Sequence, residues 1–80
     1  MFEFDASRPK WPQIVAEVRS RVASGLYVPG QRITATDLEI EFGVTRVTMG
    51  KAMAELRRLG VVRTEHGMGS FITGAFGEEK

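Results

Sequence analysis

The chain has 80 residues, of which 42% are hydrophobic and 26% charged, so it has the length and composition of one small globular domain. It contains no cysteine, which excludes a disulfide framework and disfavours metal and thiol chemistry. The formal net charge of +1 does not by itself indicate a nucleic-acid partner, and no apolar run reaches the roughly 20 residues needed to span a bilayer. We therefore expect a cytoplasmic protein without a membrane segment, a metal or a cofactor.

A first helix is predicted over residues 11–24. Pro12 fits in the first turn, where its missing N–H would be unpaired anyway, and Gly25 is a predicted left-handed cap after the last turn. Between them, apolar side chains recur every four residues, at Ile14, Val18 and Val22. A turn at Pro29-Gly30 then leads into a short extended segment, residues 31–33.

The two ends of the chain lack helical or strand periodicity. We predict that residues 1–10 form a flexible arm, in which Phe2 and Phe4 can each pack one ring against the domain. Residues 74–80 are predicted to be a disordered tail. The folded domain is accordingly predicted over residues 11–73.

A second, shorter helix is predicted over residues 35–42. Thr34 and Asp37 have the three-residue spacing of a helix-capping pair, with aspartate in place of the longer acid. The apolar face of this helix is marked by two residues four apart, Leu38 and Phe42.

A third helix is predicted over residues 46–59. Gly43 turns the chain sharply before it, and Thr45 can accept a hydrogen bond from the free amides that open the helix. Its buried face is marked by Met49, Ala52, Leu56 and Leu59. A helix, a tight turn with glycine and a second helix form the helix-turn-helix arrangement.

The last predicted elements are two strands, residues 61–65 and 70–73, joined by a glycine-rich tip. Three helices with such a hairpin predict a mainly α fold with a small β-hairpin. This is the winged helix-turn-helix, with a two- to three-stranded antiparallel wing. In this architecture the third helix enters the major groove of DNA, and the hairpin reaches a neighbouring backbone or the minor groove.

The ordered set of segments resembles the DNA-binding domain of GntR-type bacterial transcriptional regulators. The matching segments lie in the three helices, the connections and the hairpin: Gln13-Ile14, Gly25-Leu26-Tyr27-Val28-Pro29-Gly30, Phe42-Gly43-Val44-Thr45-Arg46-Val47-Thr48, Lys51-Ala52, Leu56, Gly60-Val61-Val62 and His66-Gly67-Met68-Gly69-Ser70-Phe71-Ile72. The resemblance implies a regulator, typically a repressor, that binds double-stranded DNA as a pair of domains on a palindromic operator. The family's carboxy-terminal domain, which dimerises the protein, has no room in 80 residues, so we expect at most a weak homodimer favoured on DNA. We also expect a location on the nucleoid.

The resemblance assigns DNA contacts to particular residues. In the family, the residues matching Arg46 and Thr48 contact base edges or phosphates, and those matching His66 and Gly67 reach the minor groove. The chain departs from the family pattern at two positions where an arginine is expected. Thr36 stands at the first, in a segment one residue shorter than usual, and Gly50 stands at the second.

Gly50 is unusual because glycine inside a helix costs about 1 kcal/mol relative to alanine. We predict that Gly50 and Ala54 leave the outward face low enough for the helix to lie deep in the groove. Val47 would then meet a thymine methyl, while Arg46 and Lys51 reach guanine or phosphate. The alternative is that position 50 is one that the protein does not use.

Further residues complete the predicted DNA-binding set: Thr34, Thr36, Thr45 and Arg63. Arg57 and Arg58 are interpreted first as cations that complement the dipole at the end of the third helix. His66 is the single histidine, and without a cysteine or second histidine it is a poor metal ligand. It is therefore either solvent-exposed or in contact with a groove.

Catalysis and protein interaction are the competing functions. The serines lack a placed base, and no lysine-serine pair follows Gly67-Met68-Gly69 to make a phosphate loop, so we predict that the protein is not an enzyme. A winged-helix adaptor inside a protein assembly is the alternative to DNA binding, and the two missing arginines favour it. The family's effector-binding domain needs more than 80 residues allow, so we expect no small-molecule effector domain in this chain.

Overall fold

Three helices and three short strands are present in the computed structural model of this protein, which describes residues 2–74. Its elements within that range are α1 (Lys10–Ala23), β1 (Arg32–Ile33), α2 (Ala35–Phe42), α3 (Arg46–Arg58), β2 (Val62–Glu65) and β3 (Gly69–Ile72). Every element predicted from the sequence is confirmed, with its ends within about one residue of the predicted ones. The predicted disordered tail, apart from Gly74, lies outside the described residues.

Side-chain caps open α2 and α3 where the sequence predicts them. Thr34 Oγ1 accepts a hydrogen bond from Asp37 N at 3.1 Å, and Thr45 Oγ1 accepts one from Thr48 N at 3.3 Å. Each cap pairs an amide that has no partner within the first turn of its helix. α1 differs, because its N-cap residue is Pro9 and makes no side-chain cap hydrogen bond.

The strands form an antiparallel sheet in the order β1-β3-β2. β3 is central, so Phe71 lies opposite Arg32 of β1 on one side and opposite Arg63 of β2 on the other. β1 leads directly into α2, and its last residue, Ile33, pairs with Ser70 next to the hairpin tip. The amino end of α2 and the hairpin tip therefore lie at the same end of the sheet.

The core lies where α3 packs against α1, α2 and β2. All but one of the residues that apolar spacing assigns to it are buried, namely Ile14, Val18, Val22, Leu38, Phe42, Met49, Ala52 and Leu56. The exception is Leu59, which is partly buried and packs against the core. Further buried residues, half of them from the sheet, complete it: Val15, Ile33, Met53, Val61, Val62 and Ile72.

The residues before α1 contact the domain through aromatic rings and hydrogen bonds. The Phe2 ring centre lies 4.9 Å from that of Phe4 and 5.3 Å from that of Phe42. Gln13 Oε1 accepts a hydrogen bond from Asp5 N at 2.8 Å, and Gln13 Nε2 donates to Asp5 O at 3.0 Å. The predicted packing of both rings is confirmed, while the flexibility of the arm stays a prediction.

Candidate nucleic-acid interface

The turn between α2 and α3 determines where α3 begins. Gly43 follows α2 in the left-handed region, at φ 68°, and its N–H donates to Glu39 O at 2.8 Å. A residue with a Cβ rarely adopts this conformation, so glycine suits the turn. Two residues later Thr45 caps α3. The first residues of α3 therefore project from a helix end that is fixed by its own hydrogen bonds.

α3 has one buried and one exposed face, as its spacing predicts. The buried face consists of Met49, Ala52, Met53 and Leu56. The opposite face, which we term the recognition face, exposes Arg46, Val47, Gly50, Lys51 and Ala54. Because the buried side is held in the core, the orientation of the recognition face is fixed relative to the rest of the domain.

The first turn of α3 presents a cationic side chain beside an apolar one. Arg46 is 86% exposed, and its Nε lies 3.9 Å from Glu39 Oε2. An exposed ion pair at this distance contributes little to stability, so the guanidinium retains donors for an external acceptor. Val47 is 70% exposed. Thr48 is partly buried, and its Oγ1 accepts a hydrogen bond from Thr45 Oγ1 at 3.3 Å.

Nothing inside the domain requires glycine at position 50. Gly50 is helical, and a Cβ placed on it would meet no atom within 4 Å beyond its own helix backbone and chain neighbours. Alanine would fit and would favour the helix by about 1 kcal/mol. The two explanations given by the sequence therefore remain: close approach of a partner to the recognition face, or a position that is not used.

Two predicted residues lie at the amino end of α2. Thr34 is partly buried, and its hydroxyl is engaged as the cap of this helix. Thr36 is exposed in the first turn. Both lie at the end of the sheet that carries the hairpin tip, so the register brings these two predicted segments together.

The hairpin formed by β2, the tip and β3, which we term the wing, carries the remaining predicted residues. His66 and Gly67 are exposed at the tip. Arg63 is engaged within the wing, because its Nε donates to Glu65 Oε2 at 2.8 Å and its guanidinium carbon lies 5.4 Å from the centre of the Phe71 ring. A phosphate that approached Arg63 would compete with Glu65 for the Nε donor.

The arginines at the end of α3 have acceptors inside the protein. Arg58 Nε donates to Glu55 Oε1 at 2.9 Å, and the side-chain hydrogen bonds from Arg58 hold the pKa of Glu55 below its usual value. Arg57 Nη1 lies 3.5 Å from Thr64 Oγ1. These contacts agree with the structural interpretation of both arginines.

One contact, between β1 and the wing tip, could not be predicted from the sequence. Arg32 Nε donates to Met68 O at 2.8 Å, and the Met68 side chain is 60% exposed. The two residues are 36 positions apart, so neither periodicity nor a local motif indicates the contact. The pairing of β1 with β3 brings them together.

The predicted site residues thus fall into three groups: the amino end of α2, the start of α3 and the wing. α2 packs against α3, and the sheet register joins α2 to the wing. Within residues 2–74, no group of three or more His, Cys, Asp or Glu side chains could hold a metal ion. No helix in the same range is long and apolar enough to cross a membrane.

Known proteins similar to this chain share the unit just described. Residues 11–72 match the family described as bacterial regulatory proteins, gntR family. The uncharacterized HTH-type transcriptional regulator YdhC of Bacillus subtilis (strain 168) is 31% identical over 72 residues, 90% of this chain and 32% of YdhC. The mannosyl-D-glycerate transport/metabolism system repressor MngR of Escherichia coli (strain K12) is 32% identical over 66 residues, 81% of this chain and 28% of MngR.

A similar solved structure is the DNA-binding domain of AraR in complex with operator ORX1. Its TM-score is 0.78 at 31% identity, over 91% of this chain and 93% of the AraR domain. The chain spans 32% of the length of YdhC and 28% of that of MngR, but nearly the whole AraR domain. The region shared by all of them is the winged helix-turn-helix.

Proposed function

Because the chain belongs to the gntR family of bacterial regulatory proteins, we propose that it binds double-stranded operator DNA sequence-specifically and represses transcription. In the proposed complex, α3 lies in the major groove and the wing lies on the minor groove or the neighbouring backbone. The AraR domain bound to its operator and the repressor MngR support this proposal. The protein would then act on the bacterial nucleoid.

The recognition face of α3 is the observation that carries the proposal. It combines the 86% exposed Arg46, the 70% exposed Val47 and the open surface over Gly50. Arginine can donate two hydrogen bonds to guanine O6 and N7, and an apolar side chain can contact the thymine methyl. With no side chain at position 50, the helix backbone can approach the base edges closely.

We assign the remaining contacts by the chemistry of each group. The exposed ammonium of Lys51 and the polar side chains near the two helix starts would contact phosphates, which position the domain without reading sequence. These polar side chains are Thr34, Thr36, Thr45 and Thr48. At the wing tip, His66 and the backbone of Gly67 would reach acceptors in the minor groove, and Arg63 would contribute after releasing Glu65.

We further propose that two copies bind a palindromic operator, with the homodimer favoured by DNA. Two recognition helices would then enter successive major grooves, about 34 Å apart or a multiple of that distance. A half-site bound by one copy should accordingly bind more weakly than the complete palindrome.

Selection of binding sites from a random duplex pool at fixed salt tests the proposal. We expect a motif from the unaltered protein that Arg46→Ala loses, with affinity for the selected duplex reduced about 10- to 100-fold, since a bidentate base contact contributes about 1–3 kcal/mol. Arg57→Ala is the matched control, because it removes the same charge from the other end of α3. Failure of any motif to emerge would overturn the proposed function.

A protein-binding adaptor is the alternative function. It is favoured by the lack of arginine at Thr36 and Gly50, and by the 76% exposed Ile40 on the outer side of α2. Salt dependence separates the two functions. About five phosphate contacts predict a slope of log affinity on log salt concentration near −4. A flat response with random and genomic DNA alike would support the adaptor.

A further inference from the structure

The wing tip exposes an apolar side chain on a backbone that is hydrogen-bonded at both its amide and its carbonyl. Met68 N donates to Glu65 O at 3.0 Å, and Met68 O accepts from Arg32 Nε at 2.8 Å. The Met68 side chain is 60% exposed and does not pack against the core. The fixed backbone therefore holds an unsupported apolar group out in solvent.

Gly69 lies beside the Arg32 guanidinium where Arg32 contacts the wing tip. A Cβ at position 69 would lie 3.0 Å from Arg32 Nε, so the guanidinium would have to shift by a few tenths of an ångström to admit one. Gly69 also has φ 104°, a conformation that other residues rarely adopt. Glycine at this position thus permits the backbone conformation of the turn and leaves space for the Arg32 side chain beside Met68.

Met68 differs in position from the other exposed large apolar side chains of residues 2–74. Leu26 and Val28 lie in the loop between α1 and β1, Ile40 lies on α2, and Val47 lies on the recognition face. Single exposed apolar residues are common on protein surfaces, so exposure alone indicates no function. The place at the wing tip distinguishes Met68 from the others.

We propose that Met68 is an apolar minor-groove contact that selects A·T over G·C base pairs beneath the wing, and that Arg32 positions it. The inference rests on the proposed function, because it requires the wing to lie on DNA. In the minor groove, A·T pairs present only acceptors, whereas G·C pairs add the guanine N2 amino donor. A thioether is a weak acceptor, so Met68 would leave this donor unpaired and crowd against it.

The deformability of DNA favours the same base pairs. A·T tracts have a narrow minor groove, which increases the contact of an apolar tip with both walls, and flexible TA steps admit an apolar wedge. Methionine suits such a site because its unbranched side chain adapts to irregular surfaces. The hydrogen bond from Arg32 restricts the backbone position of Met68, from which this adaptable side chain extends.

The test uses duplexes that share the selected major-groove motif and differ beneath the wing, where they carry A·T, G·C or inosine·cytosine pairs. Inosine lacks the N2 amino group but keeps the major-groove edge of guanine. We expect the unaltered protein to bind the A·T and inosine·cytosine duplexes at least about 5-fold more tightly than the G·C duplex. Met68→Ala should bind all three within about 2-fold of one another, at an unchanged salt slope.

The positioning role of Arg32 is tested by the same ratios of affinity between the A·T, inosine·cytosine and G·C duplexes. Arg32→Lys keeps the charge but not the Nε donor, and Arg32→Gln removes the charge. Both should reduce discrimination between A·T and G·C duplexes. If Arg32→Gln instead weakens all duplexes equally and lowers the salt slope by about one, Arg32 is a phosphate contact and the positioning role is overturned. Leu26→Ala, at a residue 67% exposed outside the wing, should change nothing.

The outcomes separate this inference from the function beneath it. If the unaltered protein binds no duplex in a salt-dependent manner, both are overturned. If it yields a motif that Arg46→Ala loses, but Met68→Ala retains the full preference for A·T pairs, only the inference is overturned. A thermal unfolding midpoint close to that of the unaltered protein confirms for each variant that binding is measured on folded protein.

Discussion

Two arginines lie beside α2, and their surroundings differ sharply. Arg21, from α1, pairs with Glu41 of α2 and has a side chain that is 12% exposed. Arg46, from α3, lies 3.9 Å from Glu39 of α2 and is 86% exposed. Both arginines thus face a glutamate of the same helix, but one lies in a packed seam and the other on an open face.

The seam around Arg21 uses most of its hydrogen-bonding capacity inside the protein. Its Nε donates to Glu17 Oε2 at 2.9 Å and its Nη1 donates to the Tyr27 hydroxyl at 2.8 Å, while its guanidinium carbon lies 5.2 Å from the centre of the Phe42 ring. These contacts join α1, the loop after it and α2. The availability of donors, rather than charge, therefore separates a structural arginine from one that can contact DNA.

The largest effect is expected from removing the structural arginine. Arg21→Ala removes a packed side chain that is 12% exposed and leaves Glu17 and Glu41 without their cation, so we expect stability to fall by about 2 kcal/mol and the unfolding midpoint by about 10 °C. Thermal unfolding followed by circular dichroism measures this. Arg46→Ala, the matched change on the open face, should move the midpoint by less than about 3 °C.

Binding should show the opposite order for these two variants. At a temperature where both are folded, Arg21→Ala should bind the selected duplex within about 2-fold of the unaltered protein, since no DNA contact is lost. If Arg21→Ala lost affinity as strongly as Arg46→Ala, the assignment of a structural role to Arg21 and a DNA-contacting role to Arg46 would be contradicted.

A medium effect is expected at Thr45, where structure and recognition meet. Thr45→Ala removes the cap of α3 and should cost about 1 kcal/mol of stability. The same change should loosen the first turn and so weaken operator binding severalfold. Thr45→Ser retains the cap oxygen and should restore both quantities. A serine variant as impaired as alanine would show that the cap hydrogen bond is not the cause.

A smaller effect on stability than at Thr45 is expected at Gly50, and its sign is reversed. Gly50→Ala should raise stability by about 0.8 kcal/mol, because alanine favours the helix and the space is open. Affinity for the selected duplex should fall if close approach requires glycine. Ala54→Gly is the converse control, which should lower stability without adding bulk. Raised stability with unchanged affinity in Gly50→Ala would rule out the close-approach explanation.

Much of the fold could be predicted because the residues that begin and end its helices act locally. Thr34 and Thr45 each accept a hydrogen bond from the backbone amide three residues ahead, and Gly25 and Gly43 lie just after helix ends. Each signal therefore acts within one helical turn of its residue. The faces of α3 follow from a 3.6-residue period that needs no knowledge of the partner surface. The recognition face could be predicted for the same reason, although its contacts with DNA stay predictions.

Other parts of the candidate site depend on partners far apart in the chain. Arg63 is directed to Phe71 by the pairing of β2 with β3, which lowers its availability for DNA. Arg32 reaches Met68 because β1 pairs with β3. A two-residue strand carries no signal for which neighbour it will join, so neither contact follows from composition or spacing.

Sequence alone was enough to predict the helices, their caps, the apolar stripe of α3 and the exposed start of the recognition face. These depend on interactions between residues a few positions apart, which the chain order already specifies. Which arginines are engaged depends on tertiary packing, since Arg21 contacts Glu41 and Arg32 contacts Met68 only when separate elements pack together. The same packing also decides that the wing tip presents Met68 on a fixed backbone, because the donor that fixes it belongs to another strand.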